Sequence, residues 1–391
     1  MAAGSPLLKG VRVLDLTWGW AGPASTLLLA DLGAEVIKVE APNRPDWWRS
    51  YTAGAGGLGD RDDFTEYSAR FNSVNQGKLG ILLDLGEEHG RRALRQLVCI
   101  SDVVLNNFST RVMQNLDLSF ETLRGWNPQI VSVNGTIAGL SGPLMHHIGY
   151  AGNIQALSGV TALNHYADEE APIQLGVPIG DPVFGLFLAL ASLLGLKQRS
   201  RAGVGVSIDL SAVESSLLFF APVLARLASA ETQPIEAGVP ETLLRCEGTD
   251  SWVVAVLADE HDWLGVAAVV GRQGLPDAGE AAYVDILLDE VRAWSSSRST
   301  EAVCEALRAQ GIVSERSSLP SEVLEDQHLK DRGFFRSVHR EPNGTHWYPG
   351  GWIRYRGALA ALSPAPRLGE HTTHVLRDLV GLVEGPPLDV Q

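Results

Sequence analysis

Between residues 11 and 136 the chain repeats one pattern: a short, continuously apolar run, a helix-length segment, and another apolar run. The first cycle is VRVLDLT, GPASTLLLADLG and AEVIKVE, with Pro23 near the helix start and Gly33 just past its end, where such punctuation belongs. LGILLDL, EEHGRRALRQLVCI and SDVVLNN repeat it, and SFETLRGW with QIVSVNGT does so again. Strands apolar on both faces need helices on both sides, and strand–helix–strand order supplies them as parallel β-α-β units. The pattern predicts an α/β fold with a doubly wound sheet. No exact sequence repeat accompanies it.

Downstream, PVFGLFLALASLLGLKQRS and SAVESSLLFFAPVLARLASA read as long helices that are apolar on nearly every side, with GVSIDL a strand between them. Helices of that kind belong in a large core or at a subunit interface. Composition shifts over ETQPIEAGVPETL (231–243); beyond it SWVVAVL is a strand and helical segments run to about Leu329. RGFFRSVHREPNGTHWYPGGWIRYRG alternates around turn signals as a hairpin does, and TTHVLRDLVGL closes the chain as a helix. The expected domains are a large one over 1–230, a smaller α+β domain over 231–330, and a return to the first over 331–391.

The 391 residues are 45% hydrophobic and 20% charged, as in a globular protein of two or three domains. A net charge of -15 argues against broad nucleic-acid binding but allows an anionic ligand at a local basic cluster. Cys99, Cys246 and Cys304 include no CxxC pair, so neither a disulfide framework nor a zinc site is expected. MAAGSPLLKGVRVLDL lacks the build of a signal peptide, and the longest apolar stretch, 185–196, is too short to span a bilayer. A cytoplasmic protein that does not engage a membrane is the expectation.

Local motifs name no reaction. LTWGWAGPAST follows the first strand with Gly19 and Gly22 but without GxGxxG spacing, so no nicotinamide fingerprint is present. The helix start there suits either a bound phosphate or a plain turn with two packed tryptophans. GVG at residues 203–205 is a turn. His146, His147, His371 and His374 have no acidic or cysteine partners at metal-ligand spacing. Asp181, in VPIGDPVFGLFLALASLLGL, reads locally as a helix N-cap with Pro182 at the first helical position.

Order and spacing say more. The segments LKGVRVLDLT…AGPASTLLLADLGAEVIKVEAP, NQGKLGILLDL, SDVVLNNF, LRGWNPQIVSVNGTIAGLSGP, GYAGNIQALSG, VPIGDPVFG, RAGVGVSIDLSAVES and LGEHTTHVL occur in that order. In this the chain resembles, along nearly its whole length, the class III CoA-transferases, the family of formyl-CoA transferase and carnitine dehydratase. The resemblance implies a Rossmann-like large domain that binds CoA, a smaller domain, and two ring-like chains interlocked as a homodimer. It implies transfer of CoA between an acyl-CoA and a carboxylic acid, with Asp181 at the family's catalytic aspartate and an aspartyl-CoA thioester as intermediate. Such an exchange is close to isoenergetic, so no metal and no permanently bound cofactor is expected; CoA enters as substrate. A helix start is expected to keep Asp181 ionised, with cap and nucleophile competing for one carboxylate.

The same resemblance places Ala21 at the acyl and pantetheine site. Trp18 and Trp20 stand where the formyl-CoA:oxalate enzyme has His and Gln, which argues for a bulkier or more apolar acyl group than oxalate. Lys38 and Lys78 are expected at the CoA phosphates, Asn107 and Phe108 near the adenosine, and Arg111 in place of a family arginine whose position holds Asn115. Tyr150 occupies the position of the catalytic His of the related α-methylacyl-CoA racemases, which disfavours a two-base racemase. Racemase or isomerase chemistry, and a CoA-binding homologue without turnover, are the alternatives. No glycine-rich lid is evident; PIEAGVPET keeps only Gly238.

Overall fold

The computed structural model describes residues 6–50, 64–166, 171–218, 241–275, 280–350 and 363–382, with 221, 225, 228 and 353 as isolated positions. Residues 231–240 of the expected boundary, including Gly238, lie outside them, as does most of the second long helical candidate beyond 218. The chain divides into two compact units, Met1–Ala225 with Gly333–Gln391, and Arg226–Arg332.

The first unit is built on six parallel strands: β1 (Arg12–Asp15), β2 (Glu35–Glu40), β3 (Lys78–Leu82), β4 (Val103–Asn106), β5 (Val131–Thr136) and β6 (Val206–Ser211). Their order, β3-β2-β1-β4-β5-β6, is the doubly wound one, reversing direction between β1 and β4. The helices of this unit are α1 (Ala21–Asp31), α2 (Ala69–Val74), α3 (Glu88–Cys99), α4 (Thr110–Asn115), α5 (Phe120–Trp126), α6 (Ala151–Leu157), α7 (Gly180–Ala202) and α8 (Ala212–Leu217). Strand alternation sends Val13 and Leu14 to opposite faces. Val13, Leu105 and Val133 pack under Leu29 of α1 and Leu188 of α7; Leu14, Ile37 and Val104 pack under Leu94 and Leu97 of α3 and Leu123 of α5. The α/β architecture expected from the sequence is therefore present.

Helix α7 has 23 residues and is, by length and composition, long enough to cross a membrane, which corrects the shorter span inferred from 185–196. The helix continues past the apolar run because residues 180–184 and 197–202 join it at either end. It is nonetheless packed on the sheet, with Phe184, Leu188, Ala189 and Ala191 buried. Two glycines permit that approach. A Cβ on Gly185 would lie 2.7 Å from the Ala21 carbonyl oxygen, and one on Gly135 would meet Leu188 at 2.8 Å and Phe184 at 2.9 Å.

In the second unit β7 (Glu241–Arg245), β8 (Trp252–Val256) and β9 (Ser314–Arg316) pair antiparallel, over a core of Leu244, Val253, Val266, Leu287, Val303 and Leu307. The returning chain forms the expected hairpin, β10 (Phe335–Arg340) with β11 (Gly344–Pro349). The expected final helix is a single turn, Thr372–His374, that widens to π spacing over Val375–Leu379. Docking decides this: His371 Nδ1 and Thr372 Oγ1 accept the β3 amides of Gly80 (3.2 Å) and Leu82 (3.0 Å), and Val375 is fully buried.

Candidate active site

Where the strand order reverses, the turns after β1 and β4 diverge and leave a cleft at the carboxyl ends of the strands. A cavity of about 410 Å³ opens there. It is lined by Trp18, Trp20 and Ala21 from the β1–α1 turn, Asn107 and Phe108 after β4, Thr136 ending β5, Tyr150 and Ile154 at α6, and Asp181 and Phe184 on α7. The fold thus brings Trp18, Trp20, Ala21, Asn107, Phe108 and Tyr150 to one cavity with Asp181.

Asp181 is the one carboxylate among the described residues lining the cavity. It is not the N-cap predicted locally: Ile179 is, without a side-chain hydrogen bond, and Asp181 is the second helical residue with Pro182 the third. Proline is tolerated there because its missing N–H would have had no intrahelical acceptor. Among the described residues the Asp181 carboxylate has no hydrogen-bond partner, so the expected competition between capping and attack does not arise. Burial, with no cation offsetting it, raises its pKa to about 6. Desolvation thus raises the pKa, where the helix start was expected to favour the charge, but a carboxyl of pKa about 6 is still mostly ionised at neutral pH.

Lys38 and Lys78 are not on the cavity. Both are fully buried on the sheet. Lys78 Nζ donates to Asp15 Oδ2 (3.1 Å), the Pro23 carbonyl (2.9 Å) and Asn75 Oδ1 (2.8 Å), which uses all three of its N–H donors. Lys38 Nζ donates to the Thr17 carbonyl (2.7 Å) and Asp46 Oδ2 (3.0 Å). The expectation that they meet CoA phosphates is therefore corrected: these ammonium groups neutralise internal carboxylates. Burial pulls the Lys78 pKa down to about 8 even against Asp15; at Lys38 burial pulls the same way, but Asp46, Asp15 and Glu40 outweigh it. Arg111 is also off the cavity. It is exposed in the first turn of α4, whereas its neighbours Ser109 and Val112 line the wall.

Asn107 holds the β1–α1 turn: its Oδ1 accepts from the Trp18 N–H (2.9 Å) and its Nδ2 donates to the Trp18 carbonyl (2.8 Å). Through these two bonds it positions the wall. Phe108 meets Trp18 edge to face, with centroids 5.3 Å apart. Arg44 and Trp47, which the sequence did not single out, also line the cavity, as does His147, read there as an ordinary histidine. The signal for the first two was the dense PNRPDWW after β2, and the Arg44 guanidinium stands 5.4 Å over the Trp18 ring.

Comparison with known proteins identifies the family. Residues 8–372 match the family model of CoA-transferase family III. The chain is 30% identical over 387 residues to the succinyl-CoA:mesaconate CoA-transferase of Haloarcula marismortui, covering 94% of this chain and 95% of that one. It is 29% identical over 400 residues to a protein of Mycobacterium tuberculosis named as a probable CoA-transferase; that match covers 96% of this chain, which spans only 48% of the relative's length. In structure it is similar to a CAIB/BAIF family protein from Brucella suis, with a TM-score of 0.81 and 25% identity over 95% of this chain and 99% of the other. The carboxylate in a switch-point cavity and the match over nearly the full length lead to one conclusion: the chain belongs to CoA-transferase family III.

Proposed function

We propose that this protein moves CoA between an acyl-CoA and a carboxylic acid, with Asp181 as the nucleophile. The observation that carries the reading is the unpartnered Asp181 carboxylate facing the cavity. Ionised Asp181 adds to the acyl carbonyl and expels CoA thiolate, leaving a mixed anhydride. The thiolate attacks the Asp181 carbonyl, releases the first acid and forms an aspartyl-CoA thioester. The carboxylate of the second acid repeats the two steps in reverse and frees Asp181. Every bond broken is matched by one of the same kind formed, so the cycle closes with CoA, two acids and the protein alone. The apolar and aromatic walls keep water from the anhydride and thioester. Arg44, stacked on Trp18, is placed to hold the anionic part of CoA that the buried lysines cannot reach. The test is mass spectrometry of the protein incubated with acyl-CoA: a CoA adduct on the peptide containing Asp181 is expected, and turnover without any adduct at Asp181 would overturn the mechanism.

The protonated carboxyl is not nucleophilic, so transfer is expected to fall as pH drops through about 6. Between pH 7 and pH 5 the ionised fraction, and with it kcat/KM, declines about tenfold. A pH–rate profile whose acid limb lies near 4 instead would contradict this placement of Asp181.

On α7, Leu186, Leu190 and Leu194 recur every four residues and are 45%, 48% and 55% exposed. This apolar stripe supports the proposal that the protein works as an interlocked homodimer, with a second copy covering it. Light scattering is expected to give a dimer mass for the native chain and a monomer mass for Leu190→Glu; a monomeric native chain would remove the proposal. A second reading, acyl-CoA racemase or isomerase chemistry, is favoured by His147 lining the same cavity as Asp181. Exchange of the acyl α-hydrogen in heavy water without CoA transfer would select it.

A further inference from the structure

We infer that the part of the cavity around Asp181 is built for a flat, ring-bearing monocarboxylic acid and selects against a dicarboxylate; the inference rests on the CoA-transfer reading above. Three ring contacts form a continuous arch. Tyr150 meets Trp47 at 5.9 Å and 73°, Trp47 meets Trp48 at 6.1 Å and 89°, and Trp48 meets Trp20 at 5.7 Å and 32°. Tyr150, Trp47 and Trp20 all line the cavity, and aromatic surroundings of this kind suit a further ring.

Both ends of the arch are tied to the nucleophile's helix. A Cβ on Gly180, the residue before Asp181, would touch Ile154 at 3.2 Å and the Ala151 carbonyl oxygen at 3.6 Å, next to Tyr150. One helical turn after Asp181, Gly185 packs against the carbonyl of Ala21, next to Trp20. The walls are also held in place before any ligand arrives. Asp46 Oδ1 accepts from the Gly19 and Trp48 amides, both at 3.0 Å, and its Oδ2 from Lys38. Gly19 has a φ of +77°, and a Cβ there would stand 3.2 Å from the Trp47 indole, so only glycine lets the two segments close on each other. Lys38 and Asp46 are thus positioning residues for the arch, and preformed walls cost less to occupy.

The surroundings offer little to a second carboxylate. Phe184, Ile137, Ile154 and Ala212 line the cavity with apolar groups, beside the hydroxyls of Ser109 and Thr136 and the His147 imidazole. Among the described lining residues the permanent cation is Arg44, which is stacked on Trp18 beside Asn107 and Phe108 and does not offset the burial of Asp181. A distal carboxylate would lie beside Asp181 as an unpaired like charge.

Direct titration of the full-length protein with benzoyl-CoA, acetyl-CoA and succinyl-CoA tests this without requiring turnover. Benzoyl-CoA is expected to bind about tenfold more tightly than either of the others. Trp47→Leu, at a residue 41% exposed, is expected to bring benzoyl-CoA to within about threefold of acetyl-CoA. Succinyl-CoA binding as tightly as benzoyl-CoA to the native protein would overturn the inference whatever the variant does. Parallel transfer assays separate the two readings. Efficient transfer to dicarboxylates with no aryl preference sinks this inference alone, whereas tight benzoyl-CoA binding with no transfer to any acid sinks the transfer reading and leaves the pocket assignment intact.

Discussion

Asp181→Ala is expected to lower kcat/KM for CoA transfer by at least about a thousandfold and to eliminate the CoA adduct, because no other carboxylate among the described residues lines the cavity to take over the attack. The same variant should fold and be more stable than the native chain at high pH. Burial raises the carboxyl pKa from 3.8 to about 6, so ionising it costs more in the folded than in the unfolded state. That cost is absent below pH 4, grows between pH 4 and 6, and is complete above 6. Allowing for the partial exposure of the side chain, the gain on its removal is on the order of 1–2 kcal/mol. Denaturant titrations at pH 4 and pH 8 should show the variant's advantage only at the higher pH. A variant that retained more than about a tenth of native transfer with a competent donor would exclude Asp181 as the nucleophile.

The second large effect concerns stability. Arg49 is fully buried, bonded through Nε and Nη2 to the two oxygens of Glu40, each at 2.8 Å, and through Nη1 to Glu66 at 3.3 Å. It also donates to the Pro366 carbonyl (3.1 Å) and lies 3.6 Å over the Phe71 ring. Arg340 of the returning hairpin pairs with the same Glu66. Arg49 therefore joins β2, the segment that carries Trp47 and the C-terminal return. Arg49→Ala leaves Glu40 buried without its cation and opens a void over Phe71. The expected loss is about 3–5 kcal/mol, a large part of the stability of a typical domain, and about 10 °C in Tm. Arg49→Lys should recover only a fraction, since an ammonium cannot hold both oxygens of Glu40 in one plane. A thermal melt within 2 °C of the native protein, at about that precision, would show that the network adds nothing net.

How far the site could be read before the fold was known follows from the range of the interactions that make it. The strands and helices of the first unit were legible because a parallel strand, covered on both faces, must be apolar throughout, and its helix must begin and end at recognisable residues. The β10–β11 hairpin was legible from alternation and turn chemistry alone. Asp181 could be singled out only by the ordered resemblance, since its own neighbours argued for a cap. Lys38 and Lys78 show the limit of such reading. A lysine in a strand looks the same whether it faces a phosphate or a buried acid, and the acid that decides the matter for Lys78 is Asp15, 63 residues away.

What the chain determines on its own is therefore the alternation of buried strands and helices and, with it, the switch point where a cavity must open. Tertiary structure alone decided that Asp181 is uncapped and desolvated, that two candidate lysines are internal, and that Trp20, Trp47 and Tyr150 line one cavity with Asp181. Periodicity reports which face of an element is covered. Charge state and pocket shape depend on which distant side chains do the covering, and that is settled only when the elements pack.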